Sequence, residues 1–215
     1  MEIKRINKNI EYITGDYKTL IEKCVAFAAQ FICIPQTELL FDDCLSNRFP
    51  TMSNAAESSV YPVKGKDGYY LHGSVIFNRA WFEKSWNGHK TDLEFYIFHE
   101  LRHIHQQVSI TLKNQNQPTN EPYEEISKWE NEFNNYKCND GSAEAREENM
   151  AQEVELDANG YGLSLLNLYH IRDVSFSFEY SLPEKAYRLA DERSRQYYKT
   201  KPELRTYLQK LGAKI

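Results

Sequence analysis

One segment of the chain, residues 91–108, combines a continuous apolar stripe with an unusual density of ionisable side chains. Its apolar residues recur at spacings of four, four, three and four, as on one buried helical face: Leu93, Ile97, Leu101, Ile104 and Val108. The preceding TDLE, residues 91–94, is a capping-box pattern and predicts a helix that begins just after Thr91. Yet FYIFHELRHIH, residues 95–105, carries three histidines and a glutamate. A core helix that buries such groups needs partners for them, and a bound cation would be one.

Two of these histidines, His99 and His103, are four residues apart, so in a helix both side chains point to the same place. With Glu100 between them they form the pattern HExxH. Two imidazoles at this spacing can each give a nitrogen to one Zn²⁺ at about 2.0 to 2.1 Å. Zinc lowers the pKa of a bound water to about 7, and Glu100 is then placed to act as general base, not as a ligand. The alternative is an amphipathic helix that exposes its histidines.

A catalytic zinc usually has three protein ligands and one open position, so the hypothesis requires a third ligand elsewhere. Three carboxylates on a later predicted helix are candidates: Glu153, Glu155 and Asp157. Only one of them can point best at a given metal, because successive helical positions face different directions.

The residues around Glu155 resemble the second motif of gluzincin metallopeptidases, E-x-x-A-[DN]-x-[FY]-[AG]. Glu155, Ala158, Asn159, Tyr161 and Gly162 match that motif in order. The resemblance implies that Glu155 is the third zinc ligand and that Asn159 accepts a hydrogen bond from a ligand histidine. The small residues Ala158 and Gly162 also suit a close crossing of the two helices.

The order of helix, small sheet, HExxH helix and glutamate helix resembles the ImmA/IrrE-like zinc metallopeptidases and, more widely, the minigluzincin core. The likeness covers roughly residues 16–168. It implies an α+β, mostly helical zincin-like metallopeptidase fold with a small antiparallel sheet beside the HExxH helix. It also implies that residues 73–78, GSVIFN, form an edge strand to which a peptide could add through main-chain hydrogen bonds. The chain departs from the family in the separation of 52 positions from the second histidine to Glu155, which is long for a minimal core.

Local signals predict the elements before the HExxH helix. A helix is expected from Asp16 to about Ile34, because Asp16 can cap it and Pro35 ends it. The region after it, as far as Met52, gives no regular signal. Residues 58–63 and 69–77 are expected to be the strands of a hairpin, since an Asp-Gly pair lies between them.

Other local signals predict the remaining elements. Asn78 is a good cap for a short helix over residues 79–86. Pro122 can open a helix to about Tyr136, and Ser142 can begin a single long helix to about Tyr169. The strict alternation of residues 174–180 predicts a half-buried strand, and the prolines at 183 and 202 predict two final helical segments.

The chain of 215 residues has the length of one domain, so residues 1–215 are expected to form a single zincin-like unit. Within it we place an acidic insert at about residues 113–142 and a basic C-terminal helical extension at about 183–215. Residues 117–157 carry twelve acidic and three basic side chains, whereas residues 184–214 carry nine basic and four acidic ones. The basic part is expected to be a docking or lid element or a solvated helical face.

Composition limits the class of protein. No stretch is apolar enough for a membrane helix and the first residues lack the apolar core of a signal peptide, so the expected location is cytoplasmic. The four cysteines form no CxxC pair and are expected to be reduced. The net charge of −5 disfavours nucleic acid as a partner, although the basic C-terminal part keeps that reading open. The expected partner is a peptide or protein substrate; the alternative is a catalytically inactive zincin-like domain acting as a binding or regulatory module.

Several other residues are candidates for supporting roles. A zinc peptidase benefits from a donor that stabilises the developing oxyanion, and Tyr161, His170 and Tyr180 have suitable chemistry. His105 lies two positions after the motif, which points it away from the metal face, so we expect it to be a surface residue or a support for the site and not a ligand. Arg102 could pair with the acidic insert, with a solvated salt bridge as the default.

Overall fold

The computed structural model describes residues 8–10, 15–32, 34–42, 49, 54–170, 181–200, 206 and 209. Within this part of the chain the fold is α+β and mostly helical, with seven helices and one small sheet. The strands are β1 (Lys8–Ile10), β2 (Gln36–Asp42), β3 (Ala56–Gly65) and β4 (Gly68–Asn78). The helices are α1 (Gly15–Ala28), α2 (Arg79–Gly88), α3 (Lys90–Asn114), α4 (Tyr123–Asn134), α5 (Ala143–Ala151), α6 (Glu153–Tyr169) and α7 (Glu184–Thr200).

The sheet has the strand order β1-β2-β4-β3 and is mixed, so the expectation of an antiparallel sheet was wrong. Its antiparallel part is the predicted hairpin of β3 and β4, in which Gly65 pairs with Gly68 across a two-residue turn. The other pairs, β1 with β2 and β2 with β4, are parallel. The parallel strand β2 was missed because its pairing partners are distant in sequence and its own alternation is short.

The edge strand on the α3 side is β3, whereas residues 73–78 belong to β4 in the interior of the sheet; the edge assignment was therefore wrong. Pro62 has no N–H to donate, which suits an edge position. The backbone N–H of Val60 donates to Oε1 of Gln107 in α3 at 2.9 Å, and Gln107 Nε2 donates to the Ser58 carbonyl at 3.4 Å. The side-chain amide of Gln107 thus pairs with the outer side of β3 and fixes this strand against α3.

The central helix is α3, which buries residues on all sides because the sheet, α1, α4 and α6 surround it. It begins at Lys90, and the flanking His89 makes no side-chain cap hydrogen bond, so the capping box at Thr91 was wrong. Asn78 does cap α2, because its side chain accepts from the backbone N–H of Trp81 at 3.4 Å. The helix α1 ends at Ala28, about two turns before the predicted end.

The predicted long helix after Ser142 is two helices, α5 and α6, separated at Gln152. Ser142 caps the first of them by accepting from the backbone N–H of Ala145 at 3.1 Å. At the break, the Gln152 side chain exchanges hydrogen bonds with the backbone of Lys137, at 2.8 and 3.1 Å. The break therefore places Gln152 in contact with the segment before α5.

The helix α7 packs against α6 and is integral to the core. A side chain at Gly160 would have its Cβ only 2.7 Å from Leu189 Cβ, which shows how closely the two helices approach. Among the described residues, no helix combines the length and apolar character that crossing a bilayer requires.

Several expectations lie outside the described residues. These are the strand over residues 174–180 with Tyr180, the cysteines at 33 and 44, and most of the segment after Pro202. Cys24 and Cys138 are described, and both are free thiols.

Candidate metal centre

The crossing of α3 and α6 brings three buried side chains together, His99, His103 and Glu155. Their relative exposures are 5%, 6% and 6%. His99 Nε2 lies 3.0 Å from His103 Nε2 and 3.4 Å from Glu155 Oε2, while His103 Nε2 lies 3.3 Å from Glu155 Oε1. Gly162 permits the crossing, because an added Cβ there would lie 3.0 Å from the ring of Phe95 in α3.

These separations are close to the spacing of donor atoms around zinc. Bonds of about 2.0 to 2.1 Å at tetrahedral angles place neighbouring donors about 3.3 to 3.4 Å apart. The 3.4 Å from His99 Nε2 is to Glu155 Oε2 and the 3.3 Å from His103 Nε2 is to Oε1, each close to that separation, and the 3.0 Å between the two imidazole nitrogens is slightly shorter. The donor set therefore fits a divalent ion with small adjustments of the imidazole rings.

The electrostatics of the cluster also favour a positive charge at its centre. Burial, and then His103, lower the pKa of His99 to about 4. Burial would lower the pKa of His103 too, but the Glu155 carboxylate outweighs it and raises that pKa to about 9. Burial likewise opposes ionisation of Glu155, yet His103 lowers its pKa to about 2. Near neutral pH the cluster thus holds a carboxylate, a neutral imidazole and an imidazolium whose proton a metal ion would replace.

Glu100 is buried beside the cluster without belonging to the group of three donors. Burial raises its pKa to about 7, while His103 and a hydrogen bond with the Ser58 side chain on β3 act in the opposite direction. A carboxyl group with a pKa near the working pH can both accept and release a proton, as a general base requires.

The structure adds a residue that the sequence did not single out, Tyr136. Its hydroxyl donates to Glu155 Oε1 and accepts from Asn149 Nδ2 at 3.0 Å. The side chain is 38% exposed, but loss of water around its hydroxyl raises the pKa of Tyr136, and the charges of Glu155 and Glu100 add to this effect. The phenol is therefore neutral, and it is a hydrogen-bond donor at the edge of the cluster.

The position of Tyr136 is fixed through its neighbour Lys137, whose backbone N–H and carbonyl both make hydrogen bonds. The N–H of Lys137 donates to Gln152 Oε1, and its carbonyl accepts from Gln152 Nε2 and from Asn149 Nδ2 at 2.8 Å. The ring of Tyr136 also stacks on Phe133, with an interplanar angle of 16°. These contacts depend on the helix break at Gln152. The sequence gives no local signal for that break, so it could not point to Tyr136.

The two other candidate carboxylates point away from the histidines. Asp157 is buried and accepts two hydrogen bonds from Arg102, at 2.7 and 3.3 Å. Glu153 pairs with Lys185 of α7 near the surface. Glu155 is thus the acidic residue of α6 that meets His99 and His103.

The remaining candidates lie in other surroundings. Asn159 is near enough to His99 for its amide to raise the pKa of the ring, although His99 Nδ1 makes no hydrogen bond of normal geometry within the described residues. Tyr161 lies behind the cluster, with its ring 5.3 Å from the Arg102 guanidinium. His170, at the end of α6, bonds Glu94 at 2.5 Å. Neither Tyr161 nor His170 joins the three donors.

His105 lies outside the three metal donors, as expected, whereas the solvated salt bridge expected of Arg102 is wrong. His105 is buried and bonds Glu121 of the insert at 3.1 Å, and Arg102 is 1% exposed and bonds the same carboxylate at 2.7 Å. Arg102 does pair with the acidic insert, but the pair is not solvated. The alternative of an amphipathic helix with exposed histidines is also wrong, because His99 and His103 are buried.

Comparison of the chain with protein-family models, with curated proteins and with solved structures finds no match. The resemblance to gluzincin peptidases therefore rests on the two sequence motifs and on the side-chain cluster in which they meet.

Proposed function

We propose that the protein is a zinc-dependent peptidase of the gluzincin type, similar to the ImmA/IrrE-like enzymes. His99, His103 and Glu155 would hold the zinc, and Glu100 would act as the general base. One observation carries the proposal: two imidazole nitrogens and a carboxylate group from two helices come within 3.0 to 3.4 Å of one another, with a fourth ionisable group, Glu100, outside the set. Two imidazoles and one carboxylate are the ligand set of many catalytic zinc sites.

Each residue of the site has a distinct proposed role. A bound zinc ion supplies Lewis-acid chemistry, since it polarises a carbonyl group and makes water easier to deprotonate. Glu100 takes the proton of the attacking water and passes it to the leaving amine, which its raised pKa favours. Tyr136 donates a hydrogen bond to the carbonyl oxygen as negative charge develops there.

The proposed substrate is a peptide or an unfolded protein segment, and the proposed setting is the cytosol. The scattered cysteines predict reduced thiols, which fit that compartment. The net charge disfavours nucleic acid as a partner. Two basic residues of α7, Lys185 and Arg193, are also already paired with acidic residues of α6. Steep loss of binding with salt would be expected of a nucleic-acid site.

The test is the substitution Glu100→Gln, with zinc content and peptide hydrolysis measured on the same preparations. Elemental analysis should give about one zinc per chain in the wild type and in Glu100→Gln. Hydrolysis of a quenched fluorescent peptide library should be lost in Glu100→Gln and kept in the control Glu147→Gln, which changes an exposed glutamate of α5. Turnover retained by Glu100→Gln would remove Glu100 from the mechanism.

A second candidate function is a zinc-holding module that binds a protein partner without hydrolysis. The burial of all three donors, together with the Tyr136 hydroxyl on Glu155, favours it. It predicts one zinc per chain in the wild type, lost in His99→Ala, with no cleavage of the peptide library. Cleavage by the wild type that disappears in Glu100→Gln decides for the peptidase.

A further inference from the structure

A chain of buried polar side chains leads from His103 to the C-terminal helix α7. His103 Nδ1 lies 2.8 Å from Gln106 Oε1. Gln106 Nε2 donates to Asp157 Oδ2 at 2.7 Å and to the Val154 carbonyl at 3.1 Å. The other oxygen of Asp157, Oδ1, accepts from Arg193 Nη2 of α7. Three helices are therefore joined behind the metal cluster by one hydrogen-bonded path.

The direction of each hydrogen bond in this path is fixed by its neighbours. The two acceptors around Gln106 Nε2 fix the orientation of the amide, so the group that faces His103 is the carbonyl oxygen Oε1, which can only accept. His103 Nδ1 must then carry a hydrogen and donate it, which leaves Nε2 facing His99 and Glu155. A histidine that ligates a metal through one nitrogen commonly donates from the other to such a partner.

The far end of the path depends on α7. Asp157 is 4% exposed, and its charge is balanced by Arg102 of α3 and by Arg193. Arg193 also lies over the ring of Tyr161, with its guanidinium carbon 6.0 Å from the ring centroid. Removing one cation would leave a buried carboxylate incompletely paired, which disturbs its surroundings.

We infer that Gln106 is the residue that positions His103, and that α7 is part of the metal centre through Arg193 and Asp157. The inference rests on the proposed function in one respect, since the metal ion is what His103 is positioned to bind. It gives the basic helix α7 a role inside the protein.

The first test compares Gln106→Leu with Gln107→Leu. Both variants lose side-chain hydrogen bonds made from the same stretch of α3, but only Gln106 contacts His103. Zinc affinity, measured by competition with a chromophoric chelator, should fall roughly 10- to 100-fold in Gln106→Leu. It should stay near the wild-type value in Gln107→Leu. Wild-type affinity in a folded Gln106→Leu protein overturns the inference.

A second measurement separates this inference from the proposed function. Nitrogen-15 NMR of the metal-free protein should show a slowly exchanging Nδ1–H on His103 in the wild type and in Gln107→Leu, and its loss in Gln106→Leu. A wild type that binds no zinc would overturn the metal centre, while this resonance would still decide whether Gln106 holds His103. A slowly exchanging Nδ1–H that persists in Gln106→Leu contradicts the positioning role directly.

The contribution of α7 is tested with Arg193→Met against Arg195→Met, which changes an exposed arginine of the same helix. Arg193→Met should weaken zinc binding less than Gln106→Leu does, and Arg195→Met should leave it unchanged. In the Gln106→Leu background, Arg193→Met should cost no further affinity, because the path is already broken. Additive losses from the two substitutions would exclude the path through Gln106, and wild-type affinity of Arg193→Met would exclude α7 from the metal centre.

Discussion

Tyr136 contacts Glu155 through the hydroxyl, and the hydrogen of that hydroxyl decides what the residue can do. Asn149 donates to the phenolic oxygen, so the phenol hydrogen is directed at Glu155. When a substrate carbonyl occupies the site, the same hydrogen can turn to the carbonyl oxygen. A hydrogen bond to that oxygen stabilises the negative charge that develops there in the transition state.

We therefore predict that Tyr136→Phe keeps the zinc and loses turnover. The substitution preserves the ring that stacks on Phe133 and removes only the hydroxyl. Zinc content should stay at about one per chain, while kcat for a cleaved library peptide should fall about 100-fold and KM should change little. Tyr123→Phe, at a tyrosine that is 55% exposed on α4, is the matched control. Equal loss of zinc and of activity would instead make Tyr136 a support for Glu155.

At the level of elements, the fold depends on two close helix approaches that place the site. Gly162 lets α6 lie on Phe95 of α3, which brings Glu155 to the histidines, and Gly160 lets α7 lie on α6. A Cβ at Gly160 would force a shift of the facing helix, and one at Gly162 would require the Phe95 ring to give by a few tenths of an ångström. The approach at Gly160 places Arg193 near Asp157.

Gly160→Val should destabilise the protein by about 1 to 3 kcal/mol, the usual cost of overpacking a close contact. The added Cβ would stand 2.7 Å from Leu189 Cβ and 3.2 Å from the carbonyl oxygen of Ala186, and the two methyl groups of valine need further space. Urea unfolding followed by circular dichroism measures the change. Asn167→Val introduces the same residue at an exposed position of α6 and should be nearly neutral. Wild-type stability of Gly160→Val would mean that α7 does not pack at this distance.

Local sequence signals correctly predicted the elements whose ends depend on residues close by in the sequence. The hairpin follows from its turn and from β-rich flanks, and Asn78 caps α2 with its own side chain. The start of α3 and the break at Gln152 were predicted wrongly, since tertiary contacts set them: Gln152 turns to the backbone of Lys137. The strand β2 escaped prediction because it pairs in parallel with residues more than thirty positions away.

The sequence could predict residues of the candidate site only where they belong to a short motif within about one helix turn. The two histidines and Glu100 lie in one pentapeptide, and Glu155 could be chosen through a second short pattern. Tyr136 and Gln106 carry no such pattern. Their partners, Glu155 and Asp157, are 19 and 51 residues away and come near only when α6 crosses α3.

At the level of the whole molecule, the uneven charge of the sequence has an internal explanation. The acidic stretch ending at Asp157 and the basic stretch of α7 meet where α6 packs on α7, through the pairs of Glu153 with Lys185 and Asp157 with Arg193. The first pair is largely exposed and contributes little to stability. In the second pair Asp157 is buried and Arg193 is partly buried, and the network continues through Arg102 to Glu121 of the insert. Opposite charges thus join the insert, the core helices and α7.

This network predicts how stability depends on pH. Burial opposes ionisation of Glu121, but His105 and Arg102 outweigh it and hold the pKa of Glu121 well below its ordinary value near 4.5. Because the folded-state pKa is lower than the unfolded-state pKa, Glu121 contributes stability above pH 4.5, and that stability is lost as pH falls below it. Glu121→Gln should therefore lower the free energy of unfolding at pH 7 and flatten its decline between pH 5 and about pH 3.

Urea unfolding of the chelator-treated protein at several pH values measures this slope without a contribution from bound metal. Glu124→Gln provides the control, because Glu124 is 86% exposed and its pair with Lys128 is a surface one. That control should keep the wild-type slope, since an exposed pair changes stability by at most about 1 kcal/mol. If Glu121→Gln declines with acid as steeply as the wild type, the ionised Glu121 does not hold the insert against α3. The acid sensitivity of the fold would then belong to other carboxylates, with Asp157 the next to test.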